Sequence, residues 1–303
     1  MKITDLQNAT RRPRKIAVGE FDGVHLGHRE VIKGCDTVLT FEPHPLTVTR
    51  PEAAPLLLTS LQVKADLLSE IGVAELVLIP FDDSFAHQTP SEFIDHVLLG
   101  ALEATDLCVG DDFRFGYQAS GNAATLQARS EFSTRVVPLV EIENGIVSST
   151  HIRALIAAGE VSHAERFLGY PFRLRGPVVH GEKRGRTLGF PTANLTPADG
   201  LICPGSGVYA CLARLPGSDG PPIPAAVSIG VRPQFDSALG VIVEAFLIDW
   251  SGDIYDHDLE LHFLARLRGE RRFPGVEDLL DQMRRDVEDT RAVVASSDTV
   301  SGR

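Results

Sequence analysis

Cysteine is scarce in this sequence, and none of it has the spacing of a metal or redox motif. The 303 residues include four cysteines, Cys35, Cys108, Cys203 and Cys211, with no C-x-x-C pair among them. Structural zinc sites and the disulfide frameworks of small secreted domains need paired or regularly spaced cysteines. We therefore predict four buried free thiols, which suit a reducing cytoplasm.

Long apolar runs are also missing. The sequence has no run of about 18 apolar residues, the length that a membrane-spanning helix requires. Residues 1–15 contain Arg11, Arg12, Arg14 and Lys15 but no apolar segment, unlike a secretory signal peptide. We expect neither a membrane span nor a signal peptide.

Basic residues are outnumbered by acidic ones. The 29 Lys and Arg residues against 41 Asp and Glu residues give a formal net charge of -12. A protein that binds nucleic acid non-specifically needs a basic surface to displace counterions. We expect no nucleic-acid partner, and any anionic nucleotide must meet positive charge that is supplied locally.

The first half of the chain alternates between strand-like and helix-like segments. Capping residues mark helices that begin near Ser60 and Thr89 and are closed by Gly72 and Gly100. The strand-like segments are short apolar or β-branched runs at 16–19, 37–41, 76–80, 107–110 and 135–140. This alternation predicts a doubly wound parallel sheet of the α/β class. Two short helices follow, the second opened by a capping box from Ser162 to Glu165.

Beyond residue 172 the pattern changes to strands joined by loops rich in Gly and Pro. The strand-like runs lie at 178–179, 208–213, 225–229, 241–247 and 259–263. They predict a small antiparallel β-barrel, followed by a C-terminal helix whose apolar stripe packs on it. At about 150 residues per domain, we expect domains over 1–169 and 170–295, with a frayed polar tail over 296–303.

The segment from Gly19 to His28 follows the first predicted strand directly. Its glycines let backbone N–H groups approach a phosphate, and His25 and His28 share a face if the helix has begun. Such histidines can hydrogen-bond a phosphate whose charge grows in the transition state. The alternative is a tight turn that the histidines merely cap. A position at the carboxyl ends of parallel strands favours function.

A second glycine-rich segment, from His180 to Asn194, carries three basic residues. Thr192 and Asn194 are two apart on an extended segment, so both oxygens can meet one Mg²⁺ or phosphate. The order of a Walker A loop is absent. The alternative is an ordinary barrel loop with solvated charges.

The first segment resembles the signature of the nucleotidylyltransferase superfamily, in particular the FMN adenylyltransferase module of bacterial bifunctional riboflavin kinase/FAD synthetases. Segments 40–45, 110–116 and 148–153 match that module in order. The resemblance implies that His25 and His28 hold the phosphates of ATP. It further implies nucleotide contacts by Gly19, Phe21, Gly27, Ser149, Thr150 and Arg153, and flavin contacts by Asp112 and Phe113. Read without the resemblance, Ser149 and Thr150 form an ordinary helix N-cap.

Two features depart from the pattern of that module. Glu20 stands where the family usually has a neutral residue, which adds negative charge beside the phosphate site. Only eleven residues, 29 to 39, separate His28 from Thr40. A parallel crossover normally needs a dozen or more, so we expect a short helix from about Leu26 to Gly34.

The second segment resembles the riboflavin kinase signature G-R-x-L-G-F-P-T-A-N, and segments 207–210, 228–235, 243–246 and 271–273 also resemble that family. The resemblance implies that Lys183, Gly185, Thr192 and Asn194 bind ATP, that Thr192 and Asn194 hold Mg²⁺, and that Arg271 contacts flavin. It makes Glu244 the general base. A carboxylate in an apolar strand should face something polar, although alternation alone would also let Glu244 face solvent.

Three functions remain open at this point. The first is a bifunctional enzyme that makes FMN from riboflavin and FAD from FMN, with ATP as co-substrate and Mg²⁺ as cofactor. The second is a riboflavin kinase whose first domain has lost its chemistry. The third is a flavin-binding regulator, which an intact general base disfavours. The oligomeric state stays undecided.

Overall fold

The computed structural model describes residues 1–143, 145–180, 190–218, 220–231 and 240–301. The chain divides into two units, one formed by Met1–Leu57 and Leu61–Ser149 and the other by Leu58–Ser60 and Thr150–Arg303. No helix among the described residues is both long and apolar enough to span a membrane. The predicted domain limits at residues 169 and 295 stay a prediction.

The first unit contains the predicted parallel sheet. Its strands are β1 (Lys2–Asp5), β2 (Arg14–Val18), β3 (Thr37–Glu42), β4 (Glu75–Pro80), β5 (Ala104–Gly110), β6 (Arg114–Phe115), β7 (Gly121–Asn122), β8 (Ser133–Val137), β9 (Glu141–Ile142) and β10 (Gly145–Ile146). Six of them form one sheet in the order β1-β4-β3-β2-β5-β8, and every pair in it is parallel. The remaining four form two antiparallel pairs, β6 with β7 and β9 with β10.

All five strands predicted in this half are present, with bounds shifted by a few residues. Strand β1 was not predicted, because only Thr4 of its four residues is buried and it has no apolar run. It adds to the sheet through its pairing with β4. The central strands bury Ile16, Leu39, Val77 and Leu107 in one hydrophobic core, where each contributes the stability of a fully buried apolar side chain.

The helices that connect these strands are short. They are α1 (Leu26–Ile32), α2 (Pro45–Thr49), α3 (Leu61–Glu70), α4 (Asp83–Ala86), α5 (Pro90–Glu92, continued by a π-helix over Phe93–Ala101) and α6 (Ala123–Gln127). The capping box at Thr89 and Glu92 is confirmed. Gly100 does not end its helix as predicted, because the wider π-helical turns continue to Ala101. Helix α1 has the predicted short length, and Gly34 beyond it has φ +83°.

The second unit contains the predicted barrel. Its helices are α7 (Ser149–Ala158), α8 (Val161–Leu168) and α9 (Val276–Ser301), and its strands are β11 (Phe172–Val179), β12 (Ala193–Leu195), β13 (Gly207–Arg214), β14 (Ile223–Val231), β15 (Val241–Leu247) and β16 (Asp258–Arg268). The strands close into an antiparallel barrel in the order β11-β12-β15-β14-β13-β16. Helix α9 packs on β13, β14 and β16, as its apolar stripe predicted.

Two local predictions, a side-chain cap on α8 and the burial of all four cysteines, were wrong. No side chain caps α8, which begins at Val161, because the hydroxyl of Ser162 donates instead to the carbonyl of Leu264 at 2.8 Å. Helix α9 extends into the predicted tail as far as Ser301, and the fraying of this tail stays a prediction. Cys108 and Cys211 are buried, but Cys35 and Cys203 are partly exposed.

Candidate functional site

The turn after β2 lies where a parallel sheet binds ligands. The chain passes from β2 to β3 on one side and returns to β5 on the other, so β2 is a topological switch point. Ligands bind outside the carboxyl ends of the strands at such a point. Gly19 follows β2, and Gly110 ends β5 at the same edge of the sheet. The fold therefore gathers the predicted nucleotide residues of this unit at one edge.

The backbone of this turn is strained and firmly held. Phe21 and Val24 have positive φ angles of 48° and 37°, which side-chain-bearing residues rarely adopt. Both side chains are buried, at 3% and 0% exposure. A Cβ at Gly19 would lie 3.1 Å from the ring of Phe21, so glycine fits there without displacing that ring. Strain of this kind persists only where the surroundings fix the conformation, as at ligand sites.

His25 caps α1, and the capping hydrogen bond determines which ring nitrogen carries the hydrogen. Its Nδ1 accepts a hydrogen bond from the N–H of His28 at 3.2 Å. Because Nδ1 accepts, the hydrogen of the neutral ring is on Nε2, which is then a donor. The two rings stack with centroids 3.5 Å apart. His25 therefore caps α1, as the capping alternative expected.

Gly27 lies against the His25 ring, and Ser149 contacts the turn that precedes it. A Cβ at Gly27 would lie 3.2 Å from Cε1 of His25, so glycine leaves room for the ring. The hydroxyl of Ser149 donates to the backbone carbonyl of Asp22 at 2.9 Å. The Ser149 hydroxyl therefore uses its hydrogen to bind the turn, and this hydrogen bond helps to position the turn. Thr150, exposed, and Arg153, partly buried, follow in the first turns of α7 within the second unit.

Glu20 does not add the negative charge that its position suggested. One carboxyl oxygen, Oε1, is buried without a hydrogen-bond partner. Burial raises the pKa of Glu20 to about 8, against the opposing charge of Lys64. The carboxyl group is therefore protonated at neutral pH. Lys64 and Thr40 hold the backbone instead, because both donate to the carbonyl of Glu20, at 2.8 Å and 3.1 Å.

The predicted flavin residues Asp112 and Phe113 lie in the loop after β5. Asp112 is exposed, while the ring of Phe113 is partly buried and stacks on Phe115, with centroids 5.5 Å apart. The N–H of Phe113 donates to the carbonyl of Gly110 at 3.1 Å and closes the turn. Asp112 can contact a ligand at this edge of the sheet, whereas much of Phe113 packs against the core.

In the second unit, three strands bring polar residues into one row. Asn194 of β12 lies opposite Glu244 of β15, and Glu244 lies opposite Ser228 of β14. Val243 and Ala245 are completely buried, whereas Glu244 between them is partly exposed. Alternation along β15 therefore puts Glu244 on the outer face of the barrel. Directly opposed side chains on one face are close enough to share a ligand.

The other kinase residues border this row or fall outside the described part of the chain. Thr192 is partly exposed and precedes β12 by one residue. Arg271 is exposed in the loop between β16 and α9. Lys183 and Gly185 lie outside the described residues, as does the second half of the segment 228–235.

A buried charged cluster in the barrel was missed by the sequence analysis. Glu260, 4% exposed, accepts hydrogen bonds from Arg175 at 2.8 Å and pairs with His262 at 2.7 Å. Burial raises the pKa of Glu260, but the hydrogen bond with His262 and the charge of Arg175 outweigh it and hold the pKa at about 2. His262 is itself buried, at 9% exposure. The signal that could have revealed this cluster is a carboxylate two residues before a histidine on a strand, because that spacing puts both side chains on one face.

Two family models match the chain in succession. The FAD synthetase model matches residues 7–151, and the riboflavin kinase model matches residues 168–294. The bifunctional riboflavin kinase/FMN adenylyltransferase of Listeria monocytogenes is 36% identical over 293 residues, which cover 92% of this chain and 92% of that protein. The Escherichia coli protein of the same name is 35% identical over 300 residues, covering 94% of this chain and 95% of its own.

A solved structure shares the fold over nearly the whole length. It is a crystal structure described as that of a macrolide-efflux protein from Streptococcus pneumoniae. The TM-score is 0.86 at 31% identity, and the alignment covers 96% of this chain and 99% of that one. That description applies to the Streptococcus pneumoniae protein, and the similarity to this chain is a similarity of fold.

Proposed function

The chain belongs to the bifunctional riboflavin kinase/FMN adenylyltransferase family, and we propose that it catalyses both reactions of that name. The second unit phosphorylates riboflavin with ATP to give FMN. The first unit transfers the adenylyl group of a second ATP to FMN, which gives FAD and pyrophosphate. The observation that carries this proposal is that one chain holds both polar constellations, the His25–His28 turn and the row of Asn194, Glu244 and Ser228.

The kinase step needs a base, and Glu244 is placed to supply one. A ribityl hydroxyl is a poor nucleophile until its proton is removed, so a positioned carboxylate accelerates its attack on the γ-phosphorus. The proton passes to Glu244 as the new P–O bond forms and ADP leaves. Alternation on β15 supports this role, because the carboxylate is partly exposed on the outer face beside Asn194.

The donor set around Glu244 fits Mg²⁺. The amide oxygen of Asn194 and the hydroxyl of Thr192 are hard oxygen ligands, and Mg²⁺ is usually held by a few such ligands together with substrate phosphates. The ion, when bound, neutralises phosphate charge. Asn194 and Thr192 hold and orient the ATP phosphates next to the carboxylate that accepts the proton.

The adenylyl transfer needs donors rather than a base. A phosphate oxygen of FMN is already anionic when it attacks the α-phosphorus and displaces pyrophosphate. The enzyme accelerates such a reaction by positioning and by stabilising developing charge. The tautomer of His25 supports this role, because the hydrogen is on Nε2. A protonated Glu20 adds no opposing charge at neutral pH.

The kinase-only alternative rested on the shortened crossover after His28. The turn that precedes this crossover retains its cap, its stacked rings and its strained but buried backbone. These features favour a first unit that catalyses adenylyl transfer.

The composition bears on location and partners. Four free cysteines favour a reducing cytoplasm, and the net charge of -12 disfavours nucleic acid as a partner.

Two variants separate the activities. H28A should still convert riboflavin to FMN but should lose conversion of FMN to FAD. E244Q should lose FMN formation from riboflavin but should still convert supplied FMN to FAD. Chromatography of the flavins reports both reactions in one sample. FAD formation by H28A at the wild-type rate would refute the first assignment, and undiminished riboflavin phosphorylation by E244Q would refute the second.

A further inference from the structure

A buried lysine contacts the backbone of the turn between β2 and α1. Lys64 lies in α3 and is 6% exposed. Its ammonium donates a hydrogen bond to the backbone carbonyl of Glu20 at 2.8 Å. Lysine is rarely buried unless it is paired, and its usual partner is an acid. Here a buried cation instead binds one backbone carbonyl of the turn.

The same carbonyl accepts a second hydrogen bond. The hydroxyl of Thr40, which is completely buried in β3, donates to it at 3.1 Å. A carbonyl oxygen has two lone pairs, so Lys64 and Thr40 together satisfy the carbonyl of Glu20. The two donors belong to different elements of the fold, α3 and β3. They therefore fix the direction of this carbonyl.

The fixed carbonyl also determines where the next N–H points. The peptide bond between Glu20 and Phe21 is trans. In a planar trans peptide the C=O and the N–H point in opposite directions. Because Lys64 and Thr40 hold the carbonyl of Glu20, they keep the N–H of Phe21 directed away from themselves.

The N–H of Phe21 is suited to a ligand oxygen. Among the described residues it has no hydrogen-bond acceptor, and Phe21 as a whole is 3% exposed. A buried N–H without an acceptor costs free energy, so we expect an oxygen of a bound molecule to accept from it. The ring of Phe21 meets the ring of His28 edge to face, with centroids 5.3 Å apart. The N–H therefore belongs to the same turn as the histidines.

We propose that Lys64 is a positioning residue for the phosphate site of the first unit. It acts through the peptide between Glu20 and Phe21 and keeps the N–H of Phe21 directed at a phosphate oxygen of ATP. This role rests on the adenylyl transfer proposed above. Donors that are fixed before the reaction stabilise the charge that develops on a phosphate. Without the ammonium, the peptide is held by Thr40 alone and the donor is less well fixed.

The kinetics of FAD formation from FMN and ATP test this role. K64M keeps the length of the side chain but lacks the donor, so kcat should fall about tenfold or more. The KM for ATP should change less than about threefold, because the donor matters most in the transition state. K33M is the matched control, since Lys33 is exposed and pairs with Glu30 on the surface of α1, and its kcat should match wild type. Riboflavin phosphorylation should be unchanged in both variants.

A second pair of variants changes the packing less. T40V has the shape of threonine but no hydroxyl, whereas T40S keeps the hydroxyl, so T40V should lose more kcat for FAD formation than T40S. The effects of K64M and T40V on kcat should not be additive in the double variant, because both variants remove a donor to one carbonyl. Equal kcat values for T40V and T40S would overturn the inference, even if K64M failed to fold.

The amide resonance of Phe21 reports on the same peptide without catalysis. Titration with inorganic pyrophosphate and Mg²⁺ should shift the Phe21 amide proton in wild type and in K33M, and much less in K64M. If wild type forms no FAD but shows this pattern, the proposed adenylyl transfer fails and the positioning role is supported. A wild-type kcat in K64M, or a Phe21 shift as large in K64M as in wild type, would overturn the inference.

Discussion

Asn194 of β12 lies directly opposite Glu244 of β15 on the outer face of the barrel. The amide and the carboxylate are 50 positions apart in the chain (244 - 194), and the antiparallel register alone makes them neighbours. This pairing connects the predicted ATP and Mg²⁺ ligand to the predicted general base. The proposed kinase reaction depends on both groups acting at one place.

Replacing Asn194 by Ala should impair riboflavin phosphorylation but leave adenylyl transfer intact. The side-chain oxygen that orients the ATP phosphates is lost, so we expect a fall in kcat/KM for ATP of about 10-fold or more. Steady-state kinetics with varied ATP and Mg²⁺ measures this. S228A, which changes the other neighbour of Glu244 in the same row, is the control and should retain more activity. An N194A enzyme with wild-type kinase kinetics would contradict the assignment.

Glu20 should make FAD formation sensitive to alkaline pH. Its pKa is raised to about 8 by burial, while Lys64 opposes this rise and Asp22 and Glu42 add to it. The carboxyl is neutral below that pH and becomes a carboxylate beside the phosphate site above it. We expect the rate of adenylyl transfer to fall as pH rises through about 8.

The variant E20Q isolates this effect. Glutamine keeps the shape of the protonated acid but cannot ionise, so activity at pH 7 should match wild type and the alkaline fall should disappear. The pH profile of kcat/KM for FMN, measured between pH 6 and pH 9, decides the question. An unchanged alkaline fall in E20Q would show that another group causes it.

Replacing Gly27 by Ala should lower FAD formation by the first unit without lowering its stability. The new Cβ would lie 3.2 Å from the His25 ring, which must then shift by a few tenths of an ångström. We expect FAD formation to fall several-fold, less than the roughly 100-fold loss that a 1 Å misplacement can cause.

The unfolding temperature of G27A provides the control. Alanine is the better helix former by about 1 kcal/mol, and position 27 lies inside α1. The variant should therefore be at least as stable as wild type while less active. Full activity in a stable G27A protein would mean that the ring position of His25 is unimportant.

The Arg175–Glu260–His262 cluster should govern the stability of the barrel in acid. Because the folded-state pKa of Glu260 is held at about 2, below the unfolded value, its contribution is complete above pH about 4.5. The contribution is lost as pH falls from there towards 2. Urea unfolding followed by the fluorescence of Trp250 should show that loss in wild type.

Two substitutions check this cluster. E260Q cannot bind a proton, so its free energy of unfolding should change less between pH 5 and pH 3 than that of wild type. R175M leaves the buried Glu260 carboxylate without its cation and should destabilise the barrel by about 3–5 kcal/mol at pH 7. An acid response of E260Q equal to that of wild type would assign the effect to other carboxylates.

The sequence predicted the two architectures because each depends on a local pattern. The apolar runs of β3 and β15 and the helix-ending glycine at 72 are signals within a few residues, and the structure confirms them. Strand β1 was not predicted, because it has one buried residue and lies at the edge of the sheet. Only pairing with β4, about seventy residues later, makes it a strand.

The features of the sites that the sequence analysis did not predict depend on contacts between residues that are distant in sequence. The pairing of Glu260 with Arg175 spans 85 positions, and the hydrogen bond from Ser149 to the carbonyl of Asp22 spans 127. No local periodicity reports either contact. His25 shows the intermediate case, since an H-x-x-H spacing predicts a shared face but not which ring nitrogen carries the hydrogen.

The most direct test of the central claim is a time course with the purified wild-type protein, riboflavin, ATP and Mg²⁺, in which the flavins are separated at intervals. Two active units predict that FMN appears first, reaches a maximum and then declines as FAD accumulates. FMN that accumulates without any FAD would contradict the claim, because the His25–His28 turn would then hold no working adenylyltransferase.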